Sequence, residues 1–121
     1  MNWQFRSDQP IYSQLVQQLT RAILSGELSA GSRVSAVREL AAQAGVNPNT
    51  MQRAMAELEQ SGLIYSQRTA GRFVTEDEAV IDECRRRLAR QEVEAFRASM
   101  AALGYDQEQI LQLLQEEKEA E

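Results

Sequence analysis

Apolar positions recur at helical spacing in three short stretches, give way to two short β-prone runs, and return to helical spacing toward the end of the chain. Ile11, Leu15, Leu19, Ala22 and Ile23 form the first stripe, with Asp8-Gln9-Pro10 marking a helix start and Gly26 a stop. Val37, Leu40 and Ala41 give a second, shorter helix one buried face. Gly45 then sits where the chain must bend sharply, and Asn47-Pro48 supplies a cap followed by proline at the first helical position. Met51, Ala54, Met55 and Leu58 form the core-facing stripe of a third helix, so the pattern predicts a trihelical core. Leu63 to Gln67 and Arg72 to Thr75 flank Arg68-Thr-Ala-Gly71 as a hairpin, and Arg33-Val34 reads as a short strand beside it.

Beyond Thr75 the spacing predicts one long helix through Ile81, Cys84, Leu88, Val93, Phe96, Met100 and Leu103, with one offset between Leu88 and Val93. Gly104 closes it. Tyr105-Asp106 offers a staple and a cap, with Gln109 in the capping-box position and Ile110 placed to meet Tyr105. A final helix carries Ile110, Leu111, Leu113 and Leu114 before a frayed acidic end from Glu116 to Glu121. The fold class expected is mostly α with a small β-hairpin: a winged helix-turn-helix over residues 1–77 and a helical dimerisation tail over residues 78–121. Two helices alone have too little mass to bury both stripes. The expected partner is a second copy of the chain, through Ile81, Cys84, Leu88, Val93, Phe96, Met100, Leu103, Ile110, Leu111 and Leu114.

The segment from Val37 to Arg53 reads as a helix-turn-helix whose second helix exposes Asn49, Thr50, Gln52 and Arg53, side chains able to hydrogen-bond phosphates or base edges. The hairpin adds Arg68 and Arg72 as a wing suited to phosphates or a minor groove. A net charge of −5 opposes nucleic-acid binding until its distribution is considered. Residues 1–75 hold seven arginines against five carboxylates, a balance of +2, whereas residues 76–121 hold six cations against thirteen carboxylates, a balance of −7. The acidity therefore belongs to the tail, and the modest +2 points to specific contacts more than diffuse attraction.

Other classes find little support. There is no histidine, the single cysteine lies in a helical stripe as a small packing residue, and no glycine loop cradles a phosphate, so neither catalysis, a metal nor a cofactor is expected. Glu57 and Glu59 read as carboxylates on a solvated helix face. No run is long and apolar enough to span a membrane and no signal pattern opens the chain, which makes the cytoplasm the expected location. A winged helix used as a protein-interaction module, docking through its acidic tail, is the alternative from a different class. A small-molecule effector, if one exists, would have to sit between subunits or beside the winged domain.

Pro10-Ile-Tyr12, the Ser25-Gly-Glu-Leu loop, Gly31, Val37-Arg-Glu-Leu-Ala41, Gly45-Val-Asn-Pro-Asn-Thr50, Gln52-Arg53-Ala54, Glu57-Leu58, Gly62-Leu-Ile-Tyr65 and Phe73-Val74 closely resemble the winged helix-turn-helix of GntR-family bacterial transcription regulators. The likeness covers residues 5–77, and the short tail points to the YtrA-like branch. It implies a dimeric repressor on an inverted-repeat duplex, with Ser35, Arg38, Asn47, Asn49, Thr50, Gln52 and Arg53 facing DNA and Arg68, Thr69, Gly71 and Arg72 on the wing. Two places depart from the family pattern. Val34-Ser35-Ala36 replaces Leu-Pro-Ser, which either moves the helix cap to Ser35 or displaces a phosphate-contacting hydroxyl. Thr69-Ala-Gly71 replaces glycine-basic-glycine, and Arg72 stands where a small hydroxyl residue is usual.

Overall fold

Proline, glycine and asparagine punctuate the chain where the sequence places them. The computed structural model describes residues 1–120. Its elements are α1 (Ile11–Ser25), β1 (Arg33–Val34), α2 (Val37–Ala44), α3 (Pro48–Gln60), β2 (Ile64–Gln67), β3 (Gly71–Val74), α4 (Glu78–Ala102) and α5 (Gln107–Ala120). They divide into two compact units, Met1–Glu83 and Cys84–Glu121, so the division falls inside α4.

In the first unit α3 is the common element, packing against both α1 and α2. Leu15, Leu19 and Ile23 of α1, Leu40 and Ala41 of α2, and Met51, Ala54, Met55 and Leu58 of α3 are buried. Ile11, the first residue of the predicted α1 stripe, is exposed instead, because it opens the helix beyond the reach of that core. The strands form one antiparallel sheet in the order β1-β3-β2, with Val34, Ile64 and Val74 buried. The short strand at Arg33-Val34 thus pairs with the hairpin, Arg33 opposite Phe73 and Val34 opposite Arg72.

The N-terminal segment runs back along α1, held by two glutamine side chains. Gln14, itself buried, accepts from the Arg6 N–H at 2.7 Å and donates to the Arg6 carbonyl at 2.8 Å. Gln18 treats Gln4 the same way, accepting at 3.2 Å and donating at 2.6 Å. Each amide both donates and accepts, as a neighbouring strand would, so the backbone groups of Gln4 and Arg6 are satisfied without a sheet. Trp3 and Phe5 stack in this segment with ring centroids 6.1 Å apart.

In the second unit, Asp106 and Gln109 close a reciprocal capping box at the start of α5, the Gln109 N–H donating to Asp106 Oδ1 and the Asp106 N–H to Gln109 Oε1, both at 2.9 Å. α4 ends at Ala102, one residue short of Leu103, which lies in the turn. The acidic end is not frayed up to Ala120: Gln112 reaches Glu116 and Gln115 reaches Glu119 four residues on, and Lys118 sits in the last turn, where a cation suits the helix dipole. Glu121 lies outside the described residues.

The tail residues expected at an interface separate into three groups. Cys84 and Ile110 are buried within one chain, Ile110 in a cleft shared with Ala98, Ala101 and Tyr105, so these two do not belong to an open apolar face. Ile81, Leu88 and Met100 are half-buried. Val93, Phe96, Leu103, Leu111 and Leu114 are exposed, by 54%, 44%, 72%, 56% and 53%. α4 and α5 make little contact with one another, which leaves these five side chains open to solvent.

Candidate nucleic-acid interface

The turn between α2 and α3 is built from local chemistry. Gly45 takes φ +72°, a left-handed conformation that glycine adopts without steric cost, and its N–H turns back to the carbonyls of Ala41 and Ala42. Asn47 then caps α3, its side-chain oxygen accepting from the Asn49 N–H at 2.7 Å, with Pro48 as the first helical residue. Asn47→Ala is expected to destabilise the first unit by about 0.5–2 kcal/mol. Chemical denaturation measures it, and a cost near zero would mean the cap contributes nothing to holding α3.

α3 presents Asn49, Gln52 and Arg53 to solvent and leaves Thr50 half-buried, while Met51, Ala54 and Met55 anchor the opposite face. Arg38 is exposed on the first turn of α2. Arg53 is not free to sweep: its guanidinium lies 3.7 Å from the centre of the Tyr12 ring, a cation–π contact from α1. Tyr12 was visible in the sequence only as part of Pro10-Ile-Tyr12. Nothing in the helical spacing pairs residues so far apart.

Ser35 is not the cap of α2. The capping position is Ala36, in extended conformation and without a side-chain hydrogen bond, which leaves Ser35 one residue too early to reach the first turn. Ser35 is half-buried in a cleft lined also by Arg33, Arg38 and Arg72. A helix N-terminus lacking a side-chain cap, beside the exposed Arg38, can accept an anion such as a phosphate.

The wing turn holds Arg68, Thr69 and Ala70, all exposed, and Gly71 begins β3 at φ +104°. A side chain at Gly71 would crowd Arg33, since an added Cβ would lie 3.1 Å from Arg33 Nε, which donates to the Ala70 carbonyl at 3.1 Å. The backbone angle is what calls for glycine at this position, and the Arg33 side chain would have to give by a few tenths of an ångström for any larger residue.

Arg72 is half-buried, and its Nε donates to Glu59 Oε1 on α3. The same oxygen accepts from the Ser66 hydroxyl at 2.6 Å. Glu59 is thus not a merely solvated carboxylate. The Ser66 hydroxyl, followed by Arg72, holds its carboxyl below the ordinary carboxylate range. Because the folded value is depressed, the associated stabilisation is present above the unfolded value and is lost as pH falls through the folded one.

Among the described residues no group of His, Cys, Asp and Glu could hold a metal ion, and no helix is long and apolar enough to cross a membrane.

Residues 11–74 match the model of the gntR family of bacterial regulatory proteins. The chain is 38% identical over 112 residues to the HTH-type transcriptional regulator YhcF of Bacillus subtilis, covering 93% of each protein. It is 40% identical over 72 residues to the HTH-type transcriptional repressor YtrA of the same organism, which covers 60% of this chain and 55% of YtrA. A GntR family transcriptional regulator from Listeria monocytogenes superposes with a TM-score of 0.86 at 38% identity, covering 93% of this chain and 98% of that one. The DNA-binding domain of AraR, solved in complex with operator ORX1, superposes with a TM-score of 0.56 at 26% identity over 62% of this chain and 96% of that one. These relatives are regulators of transcription, not enzymes, and the YtrA likeness supports the YtrA-like branch. The chain belongs to the GntR family of bacterial regulatory proteins, DNA-binding regulators of transcription.

Proposed function

We propose that this regulator is a cytoplasmic repressor that binds an inverted-repeat duplex as a homodimer, each subunit placing α3 in a major groove and its wing against the flanking backbone. The observation that carries this reading is the exposed row of Asn49, Gln52 and Arg53 on a helix anchored from behind by Met51, Ala54 and Met55. Arg53, pre-oriented on Tyr12, is the base-reading side chain of choice, because a planar guanidinium can donate two hydrogen bonds to one guanine. Arg38 and the α2 N-terminus hold phosphate, and Arg68 extends from the wing turn.

Dimerisation through the tail is supported by the exposed Val93, Phe96, Leu103, Leu111 and Leu114, which a second copy would remove from water. A two-fold axis through that contact presents two copies of α3, which is what an inverted repeat requires.

The test is selection of a duplex from a randomised library by the full chain, followed by binding measurements on the selected sequence. A palindromic sequence is expected, and Arg53→Ala is expected to cost about 1–3 kcal/mol per contacted base and to relax preference at that position. Arg38→Ala should weaken binding evenly across sequences. Affinity and footprint unchanged in both variants would remove these residues from the interface. Failure to select any duplex, together with capture of a protein partner through the acidic tail, would favour a protein-interaction module.

A further inference from the structure

We propose that Glu59, Ser66 and Arg72 form a joint that fixes the wing against α3, and that Arg72 serves DNA binding as a positioning residue through this joint and not by touching phosphate. The inference rests on the DNA-binding reading above.

Strand parity carries the first part. Side chains alternate between the two faces of a strand, so Arg72 shares a face with the buried Val74, and Ser66 shares a face with the buried Ile64. Ser66 and Arg72 are direct cross-strand partners, as are Ile64 and Val74. Tyr65 and Phe73, the pair between them, stack their rings on the other face, with centroids 5.8 Å apart. Arg72 is thereby turned toward the core side of the sheet, where its partner is the Glu59 carboxylate.

Geometry carries the second part. One oxygen, Glu59 Oε1, receives both the Ser66 hydroxyl and Arg72 Nε, so a single helix residue ties both strands of the hairpin. From the other edge, Arg33 ties β1 to the turn through the Ala70 carbonyl. A hairpin of two four-residue strands has little stiffness of its own, and these links give its tip a defined direction. With its charge matched by Glu59, Arg72 adds little to the field at the DNA surface, whereas Arg68 is exposed on the turn.

The two roles predict opposite signs. If Arg72 touched phosphate, removing Glu59 would release a cation and delete a nearby negative charge, so Glu59→Ala would bind DNA more tightly. As a joint, Glu59→Ala lets the wing swing and binds the selected duplex about 3- to 10-fold more weakly, the scale of the ordering cost that binding then has to meet to fix the wing. Arg72→Gln should weaken binding to a similar degree while leaving the slope of log K against log salt unchanged, and Glu59→Ala with Arg72→Gln together should be no worse than either alone. Arg68→Ala is the control, expected to lower that slope by about one per subunit. A purely stabilising pair would lower the denaturation midpoint but leave the affinity of the folded protein alone. Tighter binding by Glu59→Ala, a slope reduced by about one in Arg72→Gln, or unchanged affinity in both overturns the joint while the DNA-binding reading stands. A wild-type chain that selects no duplex overturns that reading and the joint's role with it.

Discussion

Phe96→Asp is expected to weaken operator binding by roughly 10²–10⁴-fold, the advantage that two linked half-site contacts hold over one. Phe96 is 44% exposed in a single chain, so the substitution removes little from the folded subunit's own core. In a dimer it would place a carboxylate in an apolar interface, where a charge without a partner is strongly disfavoured. The variant should therefore sediment as a folded monomer with near-normal helix content. Leu111→Asp, on α5, should act in the same direction because that side chain is 56% exposed. A Phe96→Asp chain that remains dimeric with full operator affinity would show that the subunits meet elsewhere.

Leu15→Ala is expected to cost about 2–5 kcal/mol of stability, the range for deleting a fully enclosed leucine side chain. Leu15 is 0% exposed on α1, the helix that packs against α3 and carries Tyr12 to Arg53. The loss should appear as a lower denaturant midpoint at unchanged slope. Once folded at low temperature, the variant should still bind its duplex, since no exposed residue has changed. A cost below about 1 kcal/mol would mean that the core relaxes to fill the space.

The sequence was most legible where the determining chemistry is local. Gly45, Asn47 and Pro48 act on residues within one turn of themselves, and so do Asp106 and Gln109; their effects could be read from spacing. Contacts between distant segments were not legible in that way. The grip of Gln14 and Gln18 on Arg6 and Gln4 spans eight and fourteen residues, and the Tyr12–Arg53 stack crosses from one helix to another. Arg72 stands between these cases. Its position two residues before Val74 placed it on the core face by strand alternation alone, but its charge and its place beside the turn suggested an outward role. Ser35 shows the same competition at a helix start, where a residue able to cap lies one position too early for the helix that forms. The tail spacing marked apolar positions without separating those enclosed by the chain itself, such as Ile110, from those left open, such as Leu114, because periodicity carries no information on what covers a face.

Trp3 is the only tryptophan in the chain, and it stacks on Phe5 with its indole Nε1 buried and without a hydrogen-bond partner among the described residues. Its ultraviolet emission is consequently a native optical reporter of the strap that Gln14 and Gln18 hold along α1. Release of that strap shifts the signal to the red, so its detachment from α1 can be followed in an unlabelled sample, apart from the change in helix content that reports melting of the whole domain.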